Sequence, residues 1–89
     1  MLQIREGSRF RRDVKRLQRR DKDIGKLRAV IIELTNERFL DERYREHPLT
    51  GDWVNYRDCH IEPDWLLLYR ITDNELQLAR TGSHSDLFK

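Results

Sequence analysis

The sequence predicts an α+β fold in which a small antiparallel β-sheet carries a two-helix hairpin on one face. Three observations lead to this prediction. A short apolar stretch opens the chain, two stretches with helical periodicity follow it, and three strand-like stretches at hairpin spacing fill the second half. The resulting order, β-α-α-β-β-β, is expected to form a single small domain over residues 1–89, because a chain of this length builds one core.

The first half is predicted to contain one strand and two helices. Leu2 to Arg5 has the composition of a short strand, and Ser8 is a suitable N-cap for the helix after it. That helix has one apolar stripe with the spacing i, i+4, i+7 on a charged surface. Residues 21–23 interrupt the pattern, and a second amphipathic helix follows, so the pair forms a hairpin. The apolar residues that define the two helices are Phe10, Val14, Leu17, Ile24, Leu27, Val30, Ile31 and Leu34.

Three strands are predicted in the second half, at residues 56–62, 66–71 and 76–81, with a turn of composition TDNE between the last two. Residues 36–55 are less regular, with a turn at Gly51. The tail is expected to be a last short strand or an ordered end. Short turns make strands antiparallel neighbours, and two helices cover only one face of such a sheet. The other face is therefore left as a solvated surface or a binding face.

Period-two alternation assigns the strand residues to these two faces. The predicted open-face set is Tyr56, Asp58, His60 and Glu62, and the set that faces the helices is Arg57, Cys59 and Ile61. In the last strand the two sets are Leu76, Leu78 and Arg80 against Gln77, Ala79 and Thr81. Cys59 is therefore predicted to be a small buried hydrophobe and not a reactive thiol. A single cysteine also excludes an internal disulfide and a multi-cysteine zinc site.

The charge is unevenly distributed along the chain. Residues 1–50 hold 14 basic and 9 acidic side chains, whereas residues 51–89 hold 4 and 7. From Arg5 to Arg28 there are 11 basic and 4 acidic residues. This stretch indicates a polyanionic partner, most simply nucleic acid, with a plain solvated helix surface and an acidic protein partner as the alternatives. The chain shows no charged-then-apolar leader and no apolar run of about 18 residues, so we expect a cytoplasmic protein without a membrane partner.

The three histidines, His47, His60 and His84, all lie in the second half. With an unperturbed pKa of about 6.5, histidine both takes and gives a proton near neutral pH. Cleavage of RNA requires a base for the ribose 2′-hydroxyl, an acid for the leaving 5′-oxygen and a cation for the phosphate. Metal binding is a competing use, because Asp58 and Asp64 are possible Zn²⁺ or Mn²⁺ ligands, although the spacing is a weak metal signature. A structural or merely exposed histidine remains the third interpretation.

Two patterns in the second half carry a resemblance to a known family. Residues 47–69 contain HPL.G.W..YRD.HIEPDW.L.Y, and residues 78–88 contain L.R.GSH..LF. As a set they resemble the YafQ branch of the RelE-type toxins, over about half of the chain; the N-terminal half matches more loosely. The resemblance implies a toxin of a type II toxin–antitoxin module. It also implies an endoribonuclease that cuts mRNA in the ribosomal A site without metal or cofactor, and a small antiparallel sheet with two helices on one face.

The resemblance also implies which residues carry the function. The positions that match the catalytic residues of the family are His47, His60, Asp64 and His84. The positions that match its substrate-contacting residues are Asp58, Arg80 and Phe88. Asp58 is expected to orient a histidine and Arg80 to face the scissile phosphate, while His84 is predicted to protonate the leaving 5′-oxygen. The general base stays open among His47, His60 and Asp64.

The expected partners are mRNA, the 70S ribosome and a cognate antitoxin in a hetero-oligomer. The side chains predicted to contact ribosomal RNA, without taking part in the chemistry, are Arg9, Arg11, Arg12, Lys15, Arg16, Arg19 and Arg20. The antitoxin is expected to be an acidic protein whose C-terminal segment covers the basic stretch. Because alternation places the basic helices opposite His60, steric exclusion is the favoured route of inhibition. The alternative function is a non-catalytic RNA- or DNA-binding module, which would not need the histidines.

Overall fold

The computed structural model describes residues 1–88, which form one five-stranded sheet and three helices. The strands are β1 (Gln3–Glu6), β2 (His47–Pro48), β3 (Arg57–Glu62), β4 (Trp65–Thr72) and β5 (Glu75–Gly82). The helices are α1 (Ser8–Arg19), α2 (Ile24–Thr35) and α3 (His84–Leu87), with single 3-10 turns at Glu42–Tyr44 and Gly51–Trp53. None of the helices in this described part has the length and apolar character needed to span a bilayer.

The strands lie in the order β1-β5-β4-β3-β2. The pairs β2–β3, β3–β4 and β4–β5 are antiparallel, as their short connections require, and β1 runs parallel to β5. The predicted α+β class is confirmed, but the sheet is mixed and not wholly antiparallel. The two-helix connection after β1 is long enough to allow either direction, so sequence patterning could not decide this pairing.

The main core lies between the helical hairpin and one face of the sheet. From the hairpin it contains Phe10, Leu17, Leu27, Val30 and Leu34; from the sheet it contains Cys59, Ile61, Trp65, Leu67, Tyr69, Leu76 and Leu78. The Cys59 side chain is completely buried, and burial raises the pKa of its thiol to about 12. The prediction of a buried cysteine is therefore confirmed.

The helix boundaries differ slightly from the predicted ones. Gly7, not Ser8, is the N-cap residue of α1, and its N–H donates to the carbonyl oxygen of Leu78 at 3.0 Å. A Cβ at residue 7 would lie only 3.3 Å from that oxygen, so the close approach of helix start and sheet favours glycine. Asp23 caps α2 by accepting a hydrogen bond from the N–H of Gly25 at 2.9 Å.

The second face of the sheet is only partly open. A smaller apolar cluster there is formed by Leu49, Trp53, Leu66, Leu68, Ala79 and Leu87. Leu87 belongs to α3, so the tail forms an ordered helical end and not a last strand. The Ser83 side chain and the Asp86 carboxylate cap this helix reciprocally, each accepting a hydrogen bond from the other residue's backbone N–H. The burial of Leu87 and this capping box hold the start of α3 against the sheet.

Two irregularities in the strand register correct the predicted alternation. His60 lies opposite Leu66, but Glu62 lies opposite Trp65, so a bulge adds one residue between them. The Glu62 carboxylate therefore points to the helical hairpin, where it binds Lys22 and Lys26, and the prediction that it shares the face of His60 is wrong.

The second irregularity lies at Ala79 in β5. Leu78 lies opposite Tyr69 and Arg80 lies opposite Leu68, which leaves Ala79 without a partner. The sequence had predicted that Arg80 continues the alternation of Leu76 and Leu78. This prediction is wrong, because the extra residue shifts Arg80 out of that set. Asp58 and His60 lie before the first bulge, opposite Leu68 and Leu66 of the second cluster. Their predicted position on the face away from the hairpin is confirmed.

Candidate active site

The three histidines lie in one row. The ring centroids of His47 and His60 are 6.3 Å apart, and those of His60 and His84 are 5.9 Å apart. The sheet explains this convergence, because β2 places His47 beside β3, which carries His60. Gly82 ends β5 in the same cross-strand row as His60 and Leu66, so α3 begins next to that row with His84. Three side chains that are distant in sequence therefore form one cluster.

Asp64 holds His84 at one end of the row. Its Oδ1 accepts hydrogen bonds from the backbone N–H of His84 at 3.0 Å and from its ring Nδ1 at 2.6 Å. The backbone bond first, and the ring bond second, hold the pKa of the Asp64 carboxyl below its usual range. An ionised Asp64 accepts a hydrogen bond from the Nδ1–H of His84, which leaves Nε2 of the same ring available for proton transfer.

Asp58 lies beside His47 at the other end of the row. Its Oδ1 is 3.2 Å from His47 Nδ1, although the angle does not make a hydrogen bond, and the same nitrogen is 3.2 Å from the Pro48 carbonyl oxygen. Asp58 is buried, and burial raises the pKa of its carboxyl more than the three nearby histidines lower it. Asp58 therefore gains a proton more easily than an exposed aspartate.

Two polar atoms in the site are buried without a hydrogen bond to the protein. They are Oδ1 of Asp58 and Nδ1 of His60. A buried polar atom without a partner costs about 1–3 kcal/mol, so proteins satisfy nearly all of them. Buried polar atoms without a partner occur mainly at functional sites, where the function requires the group and the rest of the fold offsets its cost. This pair distinguishes the histidine row from an ordinary polar surface.

Arg80 is held in a buried ion pair. Its Nε and Nη2 donate to the two carboxylate oxygens of Asp13 in α1 at 2.7 and 3.1 Å, which raises the pKa of the guanidinium. Asp13 also accepts hydrogen bonds from Arg16 at 2.6 Å and from the backbone N–H of Thr81 at 3.1 Å. The carboxylate neutralises much of the charge that was predicted to face the phosphate. The substrate contact of Arg80 stays a prediction.

The basic surface of α1 divides into two groups. Arg20 donates to the two carboxylate oxygens of Asp86 at 2.8 and 3.1 Å, and Arg16 lies 4.0 Å from one of them. The bond from Arg20, and after it the bonds from Ser83, lower the pKa of the Asp86 carboxyl well below its usual range. Because Asp86 caps α3, the end of α1 is tied to the helix that carries His84. Exposed residues of α1 with no ion pair to residues 1–88 are Arg9, Arg11, Arg12, Lys15 and Arg19.

Phe88 follows α3 directly. Its backbone N–H donates to the His84 carbonyl oxygen at 2.8 Å, and 42% of the residue is exposed. Leu87, the residue before it, is buried against the second apolar cluster, whereas Phe88 is not. The substrate contact of Phe88 stays a prediction.

Asp13 and Asp86 are the two supporting residues that sequence reasoning missed. Asp13 lies three residues after Phe10 and four before Leu17, on the apolar stripe of α1, and an acid at such a position signals a buried ion pair. Asp86 stands three residues after Ser83, the spacing of a capping box. Both signals were present in the sequence.

Among residues 1–88, no group of three or more His, Cys, Asp or Glu side chains is arranged to hold a metal ion. The ring centroids in the row are about 6 Å apart, and two of the three rings have a carboxylate beside Nδ1. The geometry thus fits a proton-transfer site better than the Zn²⁺ or Mn²⁺ site considered from the sequence.

Comparison with known proteins identifies the family. The family model described as the bacterial toxin of the type II toxin–antitoxin system, YafQ, matches residues 2–89. This chain belongs to the YafQ toxin family. A relative in Escherichia coli K12, named mRNA interferase toxin YafQ, is 44% identical over 86 residues, which are 96% of this chain and 94% of that protein. The resemblance in the YafQ motifs is therefore confirmed.

Solved YafQ-like structures confirm the fold. The toxin in the E. coli DinJ–YafQ complex is 42% identical, with a TM-score of 0.92, and the match covers the whole of both chains. A copper-bound mutant toxin from Helicobacter pylori is 40% identical, with a TM-score of 0.95, over 99% of this chain and all of that one.

Proposed function

We propose that this YafQ-family toxin is an mRNA interferase, an endoribonuclease that a cognate antitoxin holds inactive. The observation that carries the proposal is the histidine row, in which His60 lies within about 6 Å of a histidine on each side. The E. coli relative of the same family is named for this activity, and a solved E. coli structure holds YafQ in complex with DinJ. No other cluster in residues 1–88 brings together as many side chains that can transfer protons near neutral pH.

The proposed reaction is an attack of the ribose 2′-oxygen on the adjacent phosphorus. The O2′–P bond forms, the P–O5′ bond breaks, and the products are a 2′,3′-cyclic phosphate and a 5′-hydroxyl. One proton leaves the 2′-hydroxyl and one reaches the departing 5′-oxygen. His84 is the proposed acid, because Asp64 takes its Nδ1–H and leaves Nε2 to donate.

His60 is the proposed base. Asp64 is already hydrogen-bonded to His84, and the lowered pKa of its carboxyl makes it a weak proton acceptor. His60 lies in the middle of the row, with its ring centroid 5.9 Å from that of His84, so both rings can reach the same phosphodiester group. His47 then remains to stabilise the charge that develops on the phosphate oxygens, because Asp13 neutralises much of the charge of Arg80.

The ribosome is the proposed site of action, so the protein is expected to act in the cytoplasm. Phosphate contacts by lysine and arginine position a protein without reading sequence, and the exposed part of α1 is suited to them. The side chains that we assign to this contact are Arg9, Arg11, Arg12, Lys15 and Arg19. Arg16 and Arg20, which the sequence predicted to contact ribosomal RNA as well, are not assigned to this contact, because both lie against Asp86 within the toxin.

The antitoxin is expected to place an acidic segment on the same surface. The ion pair between Arg20 and Asp86 changes the inhibition model favoured by the sequence. An antitoxin carboxylate that binds Arg20 would break the ion pair between Arg20 and Asp86. The start of α3, which carries His84, would then lose one of the contacts that hold it in place. Binding to α1 can therefore affect the site without covering it, and steric exclusion is no longer the simplest route.

The test is single-turnover cleavage of a ribosome-bound mRNA by saturating toxin, with mapping of the new 5′ ends. His84→Gln and His60→Gln are each expected to lower the rate by about 10²–10⁴-fold, the usual contribution of a positioned acid or base. Arg38→Gln is the matched surface control, because Arg38 is exposed and binds only Glu33. Near-wild-type cleavage by His84→Gln would remove the acid assignment. Ribosome binding without any cleavage by the wild type would favour the non-catalytic module.

A further inference from the structure

A cavity of about 560 Å³ opens beside the histidine row. It lies between α2, the 3-10 turn at Glu42–Tyr44 and the bulged end of β3. The side chains that define its chemistry are Lys26, Arg43, Tyr44, Arg45, His60 and Glu62. Its volume falls within the range of about 300–1,000 Å³ that is typical of small-molecule sites. His60 lines the cavity and also belongs to the histidine row, so the cavity adjoins the part of β3 that carries the site.

The cavity is positively charged once its internal contacts are considered. Glu62, its single carboxylate, is bound by Lys22 at 2.9 Å and by Lys26 at 3.0 Å, and these bonds lower the pKa of the carboxyl. Arg43 and Arg45 are exposed and have no carboxylate within ion-pair distance in residues 1–88. Two guanidinium groups without an acidic partner favour a bound anion, and guanidinium geometry suits a phosphate.

The cavity also contains an aromatic ring with a guanidinium stacked on it. The Tyr44 side chain packs partly against the main core, and the Arg43 guanidinium carbon lies 4.9 Å from the centre of its ring. Arg43 Nη2 donates to the Tyr44 hydroxyl at 2.9 Å, which raises the pKa of the guanidinium. Unstacked bases of single-stranded RNA bind to such aromatic and arginine planes.

The turn that carries these residues is fixed before any ligand binds. Asp41 caps it through the N–H of Arg43 at 2.9 Å, and the N–H of Arg45 bonds to the Glu42 carbonyl oxygen at 3.0 Å. Arg45 has a left-handed backbone with φ of 48°, a conformation that is strained for a residue with a Cβ. Such strain persists where the surroundings determine the backbone, so the cationic turn is preorganised.

We propose that this cavity binds one nucleotide of the mRNA adjacent to the scissile phosphate. Arg43 and Arg45 hold its phosphate, and the ring of Tyr44 supports its base. These three are positioning residues that bring the next ribose to His60, and they take no part in proton transfer. The proposal rests on the proposed mRNA cleavage. An acidic side chain of the antitoxin would satisfy the arginines but would use neither the aromatic surface nor the volume.

The direct test is photocrosslinking of mRNA to the wild-type toxin on the ribosome. The mRNA carries a 2′-deoxyribose at the scissile position, which prevents cleavage, and 4-thiouridine on either side of it in separate preparations. Crosslinks from one of the two positions are expected on the peptide that contains residues 43–45, identified by mass spectrometry. Crosslinks found only on other peptides from both positions would overturn the proposal.

The quantitative test uses two charge-removing variants and a matched control. Arg43→Gln and Arg45→Gln are each expected to raise the toxin concentration for half-maximal cleavage by about tenfold, as for one lost charge-assisted bond. The rate at saturation is expected to stay within about twofold of the wild type, and Arg38→Gln to leave both quantities unchanged. Cavity variants that behave like Arg38→Gln would overturn the proposal.

The outcomes separate this proposal from the others. A wild-type toxin that cleaves no mRNA refutes the proposed function, whatever the cavity binds. Normal cleavage by the wild type, with cavity variants equal to the control, refutes this inference alone. Variants that weaken antitoxin binding and leave mRNA saturation unchanged would assign the cavity to the antitoxin, and the proposal would be wrong.

Discussion

Replacement of Asp13 by asparagine is expected to destabilise the protein more than any other single charge removal on α1. Asp13 is 2% exposed and accepts four hydrogen bonds, two on each carboxylate oxygen. The donors are Arg16, both Nε and Nη2 of Arg80, and the backbone N–H of Thr81. An amide offers one acceptor oxygen, and its NH₂ would face two of these donors. Arg80, itself buried, would lose its counter-charge.

Loss of one partner from a buried ion pair typically costs about 3–5 kcal/mol. A domain of this size has a free energy of unfolding of about 5–15 kcal/mol, so the loss is a large fraction of the total. At about 4–8 °C per kcal/mol for a domain of this length, the melting temperature should fall by at least about 12 °C. Asp21→Asn is the matched control, because Asp21 is exposed and its left-handed backbone, with φ of 58°, accepts asparagine.

The assay is urea unfolding followed by circular dichroism at neutral pH. Asp13→Asn should lower the midpoint strongly and Asp21→Asn should change it little. A double variant with Arg80→Met removes the buried charge as well, so its loss of stability should be smaller than the sum of the two single losses. An Asp13→Asn variant that unfolds like the Asp21→Asn control, or fully additive effects in the double variant, would refute the ion-pair reasoning.

Three further predictions follow from the charges and the buried thiol. Arg20→Gln should destabilise the protein at pH 6, because it removes the main partner that lowers the pKa of the Asp86 carboxyl. A carboxyl pKa that is lower in the folded than in the unfolded protein stabilises the fold at a pH above the unfolded pKa of about 4. This stabilisation is lost as the pH falls toward the pKa of the folded protein. The urea midpoints of variant and wild type should therefore converge toward about pH 2. Cys59, with its pKa raised to about 12, should react with a disulfide reagent at pH 8 only as fast as the protein unfolds, and rapid labelling in the absence of urea would contradict its burial. Neutralising three exposed cations of α1 should weaken ribosome binding and lower the slope of log affinity against log salt by roughly two to three, with saturated cleavage unchanged. The three residues for this variant are Arg11, Arg12 and Lys15. An unchanged salt slope would remove α1 from the ribosome contact.

Local patterning was sufficient for the elements and for part of the site. The stripe of α1 and the alternation up to His60 depend on backbone geometry alone, with periods of 3.6 and 2 residues. They placed Phe10 and Cys59 in the core, and Asp58 and His60 on the face away from the helices, as the structure confirms. The chemical reason to single out the histidines also needs no structure, because their proton affinity is intrinsic to the side chain.

Alternation failed where one inserted residue changed the register. The bulge after His60 turns Glu62 to Lys22 and Lys26, and the unpaired Ala79 separates Arg80 from the alternation of the strand. A bulge is decided by how two strands pair across the sheet, and the sequence of one strand carries no clear mark of it.

By itself, the sequence determined the helical hairpin, the antiparallel strands, the buried cysteine and the set of groups able to transfer protons. Each of these follows from residues that are neighbours along the chain. Only the tertiary structure decided that β1 joins β5 in parallel, that Asp13 neutralises Arg80 and that Arg20 is tied to α3 through Asp86. It also decided that Arg43 and Arg45 line a cavity with His60. These contacts join residues far apart in sequence, and their free energy depends on distance, burial and the competing partners, which exist only once the chain has folded.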